Sequence, residues 1–254
     1  TANLKYADLK RANLKRADLK GAILAVANLV EANLKRANLI TANLKYADLK
    51  RANLIGANLK YADLKRANLT EANLTKANLT RANLTRANLT GATLTGARLE
   101  EANLENAILF SSDLTGVTIE KEALDSAHLC HTKLPDGKMS KCNLAEVNLG
   151  ELNLEGANLT GVKLTKARLQ ETNLEEANLT RADLVEANLI EADLIEANLE
   201  EANLTGANLT KANLSYANLS YANLTGATVT GANGYEIKLC NTTMPDGTIN
   251  NSGC

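Results

Sequence analysis

Leucine recurs at almost every fifth position of this chain. Of the 51 positions that follow this spacing from Leu4 onward, 44 are Leu. The residue two before each of these positions is Ala without exception from Ala2 to Ala107, and the residue between is usually Asn or Asp. This five-residue period constrains the fold more strongly than any other property of the sequence.

Neither an α-helix nor a flat strand accommodates this period. At ~3.6 residues per helical turn, leucines five apart would move about 140° around the axis and form no apolar stripe. On a flat strand, side chains alternate between faces, so leucines five apart would point to opposite sides. If the chain bends once per five residues, Ala and Leu both point inward and the two residues after Leu form the corner.

The composition of the corners supports this bend. Regular bending winds the chain into a solenoid whose interior is a stack of Leu and Ala. We therefore predict an all-β fold, although Ala, Leu, Lys, Arg and Glu are good helix formers. Glycine, a common turn residue, recurs at the second position after Leu, as Gly56, Gly91, Gly96, Gly116, Gly156, Gly206 and Gly226.

The repeat Ala-(Asn/Asp)-Leu-x-x resembles that of the pentapeptide-repeat family, and the resemblance covers nearly the whole chain. Typical units are Ala2-Asn3-Leu4 and Ala202-Asn203-Leu204. The resemblance implies a right-handed quadrilateral β-helix with four pentads, about 20 residues, per coil. A chain of 254 residues would then form about 12–13 coils.

We expect one continuous solenoid over residues 1–254, divided into four parts. Residues 1–110 form regular basic coils, residues 111–152 an irregular stretch, residues 153–238 regular acidic coils and residues 239–254 a C-terminal capping turn. In the irregular stretch several inward positions lose their Ala, and Glu122 occupies one of them. Because a carboxylate is costly to bury, we expect the wall to bulge or loop out there.

One nine-residue pattern occurs twice, at 129–137 and at 239–247. Each copy begins with Leu-Cys and ends with Pro-Asp-Gly, which is a strong signal for a tight turn. Such paired Cys and Pro-Asp-Gly loops look like versions found in family members from photosynthetic bacteria. The two loops are the non-repetitive features that a partner could recognise, so the candidate interaction residues are Pro135, Asp136, Gly137, Pro245, Asp246 and Gly247.

Each copy also carries two cysteines, Cys130 with Cys142 and Cys240 with Cys254. The even count and the parallel spacing favour two local disulfides, each bracketing its own turn. Four reduced thiols are the alternative. Disulfides favour a periplasm or an organelle lumen, whereas reduced thiols favour the cytoplasm.

Charge is distributed unevenly along the chain. Residues 1–98 hold 18 Lys and Arg against 6 Asp and Glu, and residues 99–254 hold 10 against 23. The N-terminal part therefore has a net charge of +12 and the remainder −13. Such asymmetry bears on partners rather than on the fold. Solvation of the outer positions and duplication of a basic unit explain it without any binding function.

The sequence contains no signature of catalysis or of a bound cofactor. No apolar run is long enough for a membrane span, and no phosphate-binding glycine loop or nucleophile elbow occurs. The carboxylate pair Glu175-Glu176 falls at an outer corner, where a filled solenoid offers no cleft. Four residues around the first loop could be read as zinc ligands, His128, Cys130, His131 and Cys142. A zinc site is disfavoured because the second loop has no histidine.

We predict a non-catalytic structural scaffold or protein-interaction rod, with partners that the sequence does not name. The family resemblance implies an alternative, because some pentapeptide-repeat proteins resemble duplex DNA in size and charge and protect bacterial type II topoisomerases. The acidic half would supply such a mimic. In a third hypothesis the basic half binds nucleic acid electrostatically, which the scarcity of aromatic stacking platforms disfavours.

Overall fold

The computed structural model describes residues 2–254, and parallel β-bridges join residues 20 positions apart along the chain. Asn43 pairs with Asp63, for example, and Asn198 pairs with Asn218. Four pentads therefore complete one coil. Each pentad contributes one bridged residue, the one between Ala and Leu, so the ladder contains few regular strands. The predicted solenoid is confirmed as a β-helix.

Three regular elements interrupt or end the repeat in the described residues. Helix α1 covers Lys121–Asp125, strand β1 covers Thr242–Thr243 and strand β2 covers Ile249–Asn250. Strands β1 and β2 are antiparallel and form a two-stranded sheet. Glu122 lies on α1 with its side chain exposed, so the chain leaves the regular wall where a carboxylate would have pointed inward.

Ala and Leu fill the interior of the coils. Leu59 and Leu199, for example, are 0% exposed, as are the alanines two positions before them, Ala57 and Ala197. At ~2 kcal/mol for each fully buried Leu, this stack is the main source of stability. Leu4 is only half-buried, and its pentad is bridged to the following coil through Asn3 and Ile23.

The Asn or Asp of each pentad completes the hydrogen bonding of the backbone. In the pentad from Asn78 to Ala82, three N–H groups donate to neighbouring coils at 2.7–2.9 Å, and the N–H of Ala82 donates to the carbonyl of Leu79 at 2.9 Å. The remaining N–H, of Thr80, donates to Oδ1 of Asn78 at 3.0 Å. This bond recurs along the repeats. In most pentads a short carboxamide or carboxylate thus accepts the N–H of the first corner residue.

The second corner residue has a positive φ throughout the regular coils. Glycine there has φ of 63–69°, and non-glycine residues, Val26 among them at 59°, have nearly the same angle. A β-turn in which the third residue has positive φ and the second does not is of type II. Because the left-handed region costs an L-residue about 1–2 kcal/mol, the stacked coils must hold these residues there.

The backbone forms two compact units, Thr1–Lys141 and Cys142–Cys254. In the first unit, regular bridges include Asp113 with Lys133, beyond the predicted start of the irregular stretch at residue 111. In the second unit they begin with Asn143 and Lys163, before its predicted end at residue 152. One continuous solenoid over 1–254 stays a prediction.

Candidate functional site

The first hairpin, residues 130–140, lies in the first unit. Lys133 pairs antiparallel with Met139, and the N–H of Leu134 donates to the carbonyl of Lys138 at 2.8 Å. Gly137 has φ of 83° and donates its N–H to the carbonyl of Leu134 at 2.9 Å. A residue with a side chain would be strained there, which explains the Gly of Pro-Asp-Gly. The turn exposes 60% of Met139 to solvent.

The second hairpin, residues 240–250, repeats this arrangement in the second unit. Thr243 pairs antiparallel with Ile249, and the N–H of Met244 donates to the carbonyl of Thr248 at 2.8 Å. Gly247 has φ of 86° and donates to the carbonyl of Met244 at 2.9 Å. Ile249 occupies the position of Met139 and is 57% exposed. The two sequence copies are therefore two copies of one hairpin.

The aspartate of each Pro-Asp-Gly stabilises the turn at the tip of its hairpin by a hydrogen bond. Oδ1 of Asp136 accepts the N–H of Lys138 at 3.0 Å, and Oδ1 of Asp246 accepts the N–H of Thr248 at 2.9 Å. The side chain of Lys138 lowers the pKa of Asp136, and the hydroxyl of Thr248 lowers that of Asp246. Both carboxylates are thereby kept ionised and ordered at the exposed tips.

A buried threonine anchors each hairpin to the coil before it. Thr132 and Thr242 are 0% exposed and occupy the inward position that Ala has elsewhere. The hydroxyl of Thr132 donates to the carbonyl of Leu109 at 2.5 Å, and that of Thr242 donates to the carbonyl of Leu219 at 2.7 Å. The sequence pattern marks these threonines only as losses of Ala, whereas the structure gives each hydroxyl a buried partner.

The described part of the chain contains no free cysteine. A disulfide joins Cys240 to Cys254 and closes the second hairpin. Cys130 and Cys142 are disulfide-bonded as well. Since disulfide sulfurs are not thiolates, the alternative zinc site would lack its two sulfur ligands. Burial lowers the pKa of His128, which favours its neutral form.

Several ion pairs on the first unit join corners one coil apart. Arg11 pairs with Glu31 at 2.6 Å, and Arg81 pairs with Glu101 at 2.7 Å. The hydrogen bond from Arg81 lowers the pKa of Glu101. Residues 1–141 contain 22 Lys and Arg against 14 Asp and Glu, so the first unit has a net charge of +8.

The second unit carries the opposite charge. Residues 142–254 contain 6 Lys and Arg against 15 Asp and Glu, a net charge of −9. Arg181 pairs with Glu201 at 2.7 Å, but at another corner carboxylates lie next to one another. Burial and the neighbouring charges raise the pKa of Glu175; these charges belong to Glu155, Asp193, Glu176 and Glu196.

A polar groove at one corner of the first unit was not predicted from the sequence. It has a volume of about 420 Å³ and is lined by Tyr46, Lys65, Arg66, Thr85, Arg86, Glu105 and Asn106. Once the coil length of 20 is known, the spacing of Tyr46, Arg66 and Arg86 places them at one corner. The sequence therefore contains the spacing that forms the groove, but this spacing can be recognised only when the number of pentads per coil is known.

The family comparison agrees with this architecture. The model of the family described as Pentapeptide repeats matches the chain in eight copies, which together span residues 2–121 and 124–231. The chain therefore belongs to the pentapeptide repeat family. No curated protein matches the chain. No helix in residues 2–254 combines the length and the apolar character of a membrane span.

Solved structures of the same family resemble the chain in sequence. HetL from Nostoc sp. strain PCC 7120, which is involved in the regulation of heterocyst differentiation, is 33% identical over 98% of this chain and 92% of its own, with a TM-score of 0.39. A protein from the Arabidopsis thaliana thylakoid lumen is 36% identical over 41% and 70%, with a TM-score of 0.36. Rfr23 from Cyanothece 51142 is 30% identical over 59% and 89%, with a TM-score of 0.34.

Proposed function

We propose that this chain is a non-catalytic scaffold that binds protein partners through its two hairpins. The walls, which we infer to be the four faces of a right-handed quadrilateral β-helix of about 12–13 coils, act as a rigid support. Repetition of one pentad gives the walls few distinguishing features. Recognition then depends on the places where the repeat changes.

Exposed apolar side chains on the hairpins carry this proposal. Met139 and Ile249 occupy the same hairpin position and are 60% and 57% exposed. Beside each lies an ordered Pro-Asp-Gly tip, fixed by the hydrogen bonds to Asp136 and Asp246. A large apolar side chain next to an ordered polar turn is the kind of anchor that protein interfaces bury.

Affinity capture from the native cell tests the proposal. Three baits are compared: the unmodified chain, the variant Met139→Ser with Ile249→Ser, and the control Val26→Ser. Val26 is also apolar and is 44% exposed, but lies in a regular coil. We expect the control to retain the captured protein and the double variant to lose at least nine-tenths of it. Equal capture by all three baits would exclude the hairpins as the binding site.

The acidic second unit supports a different function, that of a DNA mimic acting on a type II topoisomerase. Its net charge of −9 has the sign that a DNA-binding groove prefers. A gyrase supercoiling assay separates this function from the scaffold. A change in supercoiling at micromolar protein would favour the mimic, and no effect would remove it.

The basic first unit supports a third function, the binding of nucleic acid. Its net charge of +8 attracts phosphates without sequence preference. Binding of this kind weakens steeply as salt rises, because bound counterions are released. Gel-shift titrations of the whole chain at low and at physiological salt test this function; affinity independent of salt would contradict it.

A further inference from the structure

The polar groove of the first unit is lined by several hydrogen-bond donors. Its lining contributes the ammonium of Lys65 and the guanidinium groups of Arg66 and Arg86. Thr85 adds a hydroxyl and Asn106 a carboxamide. Arg and Lys offer only donors, and their charge strengthens each hydrogen bond to an anion.

The charge of this lining is positive. Glu105 is its one carboxylate, set against three cations. Asp63, two residues before Lys65, forms an ion pair with Lys45 at 3.1 Å. Within residues 2–254, Lys65 makes no ion pair of its own. The formal charges of the lining residues, three positive and one negative, sum to +2.

An aromatic ring adjoins these cations. The guanidinium carbon of Arg66 lies 6.0 Å from the centre of the Tyr46 ring, within the range of a cation–π contact. Arg66 and Arg86 are half-buried, so their guanidinium groups are partly shielded from water. Partial burial strengthens the attraction between a cation and an anionic ligand.

We propose that this groove binds the phosphate group of a phosphorylated small molecule. Arg66, Arg86 and Lys65 would hold the phosphate oxygens, and Tyr46 would contact the attached organic group. A volume of about 420 Å³ exceeds the size of a phosphate ion and falls in the range of small-molecule sites. This site goes beyond the scaffold function and does not depend on the hairpins.

Titration calorimetry of the whole chain at physiological ionic strength tests the site, with inorganic phosphate and phenyl phosphate as probes. We expect saturable binding of one phosphate per chain and tighter binding of phenyl phosphate. Tyr46→Ala removes the advantage of phenyl phosphate and leaves the affinity for inorganic phosphate within twofold. Absence of saturable binding of both probes would overturn the proposal.

Matched variants separate a site from general positive charge. Arg66→Gln with Arg86→Gln is expected to weaken phosphate binding at least tenfold. The control Arg16→Gln with Arg36→Gln removes the same charge from another corner of the first unit and leaves the affinity within twofold. Equal loss in both double variants would show diffuse attraction to polyanions and reject the site.

A third variant distinguishes loss of the phosphate site from loss of the fold. Lys65→Gln breaks no ion pair among the described residues, so it leaves the fold intact. We expect it to weaken phosphate binding about fivefold, because the phosphate loses one charge-assisted hydrogen bond. An unchanged affinity in a variant with an unchanged circular dichroism spectrum would contradict the proposed role of Lys65.

Discussion

The first unit and the second unit bury the same types of residue, Ala and Leu, but expose opposite net charges. In the interior coils of both, the Ala and Leu of a pentad are almost fully buried, as Ala57 and Leu59 are in one and Ala197 and Leu199 in the other. Outside, the first unit has a net charge of +8 and the second −9. In the first, Arg81 lowers the pKa of Glu101, whereas in the second, burial and neighbouring carboxylates raise the pKa of Glu175.

This comparison shows which positions of the pentad determine the fold. The inward pair and the Asn or Asp between them are nearly constant, because burial and the corner hydrogen bond both depend on them. The second corner residue varies from Arg to Glu to Tyr at nearly constant φ. The charge of the corner residues can therefore differ between the units without a change of backbone conformation. A function that depends on these surface charges can change while the fold stays the same.

Truncation of an interior leucine should have the largest effect. Leu59→Ala in the first unit and Leu199→Ala in the second each remove a side chain that is 0% exposed. We expect each to lower the free energy of unfolding by about 2–5 kcal/mol, because the stacked coils relax little around a cavity. Urea unfolding followed by circular dichroism measures both. Losses that differ by more than twofold would break the equivalence of the two interiors.

Loss of the C-terminal disulfide should have the next largest effect and should be confined to the second unit. The bond from Cys240 to Cys254 spans 14 residues. Cys240→Ser with Cys254→Ser should lower stability by about 3 kcal/mol in the chain-entropy model. Hydrogen exchange should show faster opening of residues 239–254, with the first unit unchanged. A non-reducing mass measurement that finds four free thiols would remove the basis of this prediction.

The corner hydrogen bond should contribute equally in both units. Asn78→Ala and Asn208→Ala each remove the acceptor of a corner N–H at 3.0 Å. We expect each to cost about 1–2 kcal/mol of unfolding free energy, since the N–H loses its partner. Asn78→Asp and Asn208→Asp keep the acceptor and serve as controls. Controls as damaging as the Ala variants would disprove this role for the side chain.

Much of this architecture could be predicted from the residues alone. The inward Ala and Leu and the glycine corners follow from period and turn chemistry. The coil of 20 residues did not follow from the period, because a bend at every fifth residue is compatible with more than one number of sides. The groove around Arg66 depends on that number. Helix α1 and the buried hydroxyl of Thr132 were hidden because each depends on contacts outside its own pentad.

Changing pH should have the smallest effect, and its sign should differ between the units. The raised pKa of Glu175 means that its ionised form disfavours the folded state, so Glu175→Gln should be more stable than the unmodified chain at pH 7. This advantage should disappear as pH falls through the raised value toward the ordinary pKa of ~4.3.

The matched variant in the first unit should behave in the opposite way. The lowered pKa of Glu101 stabilises the fold above its ordinary pKa, so Glu101→Gln should be less stable at pH 7. That difference should be lost as pH falls through the lowered value. Urea midpoints at a series of pH values measure both variants, and shifts of the same sign at pH 7 would contradict the contrast between the units.

Engineered cross-links test most directly the central claim that four pentads complete one coil. Asn58 and Asn78 are bridged across adjacent coils, whereas Asn58 and Asn73 lie three pentads apart. Adjacent strands are ~4.8 Å apart, within the Cα separation that a disulfide spans. After mild oxidation, peptide mapping should find a cross-link in Asn58→Cys with Asn78→Cys and none in Asn58→Cys with Asn73→Cys. A cross-link in the second pair, or its absence from the first, would contradict a coil of 20 residues.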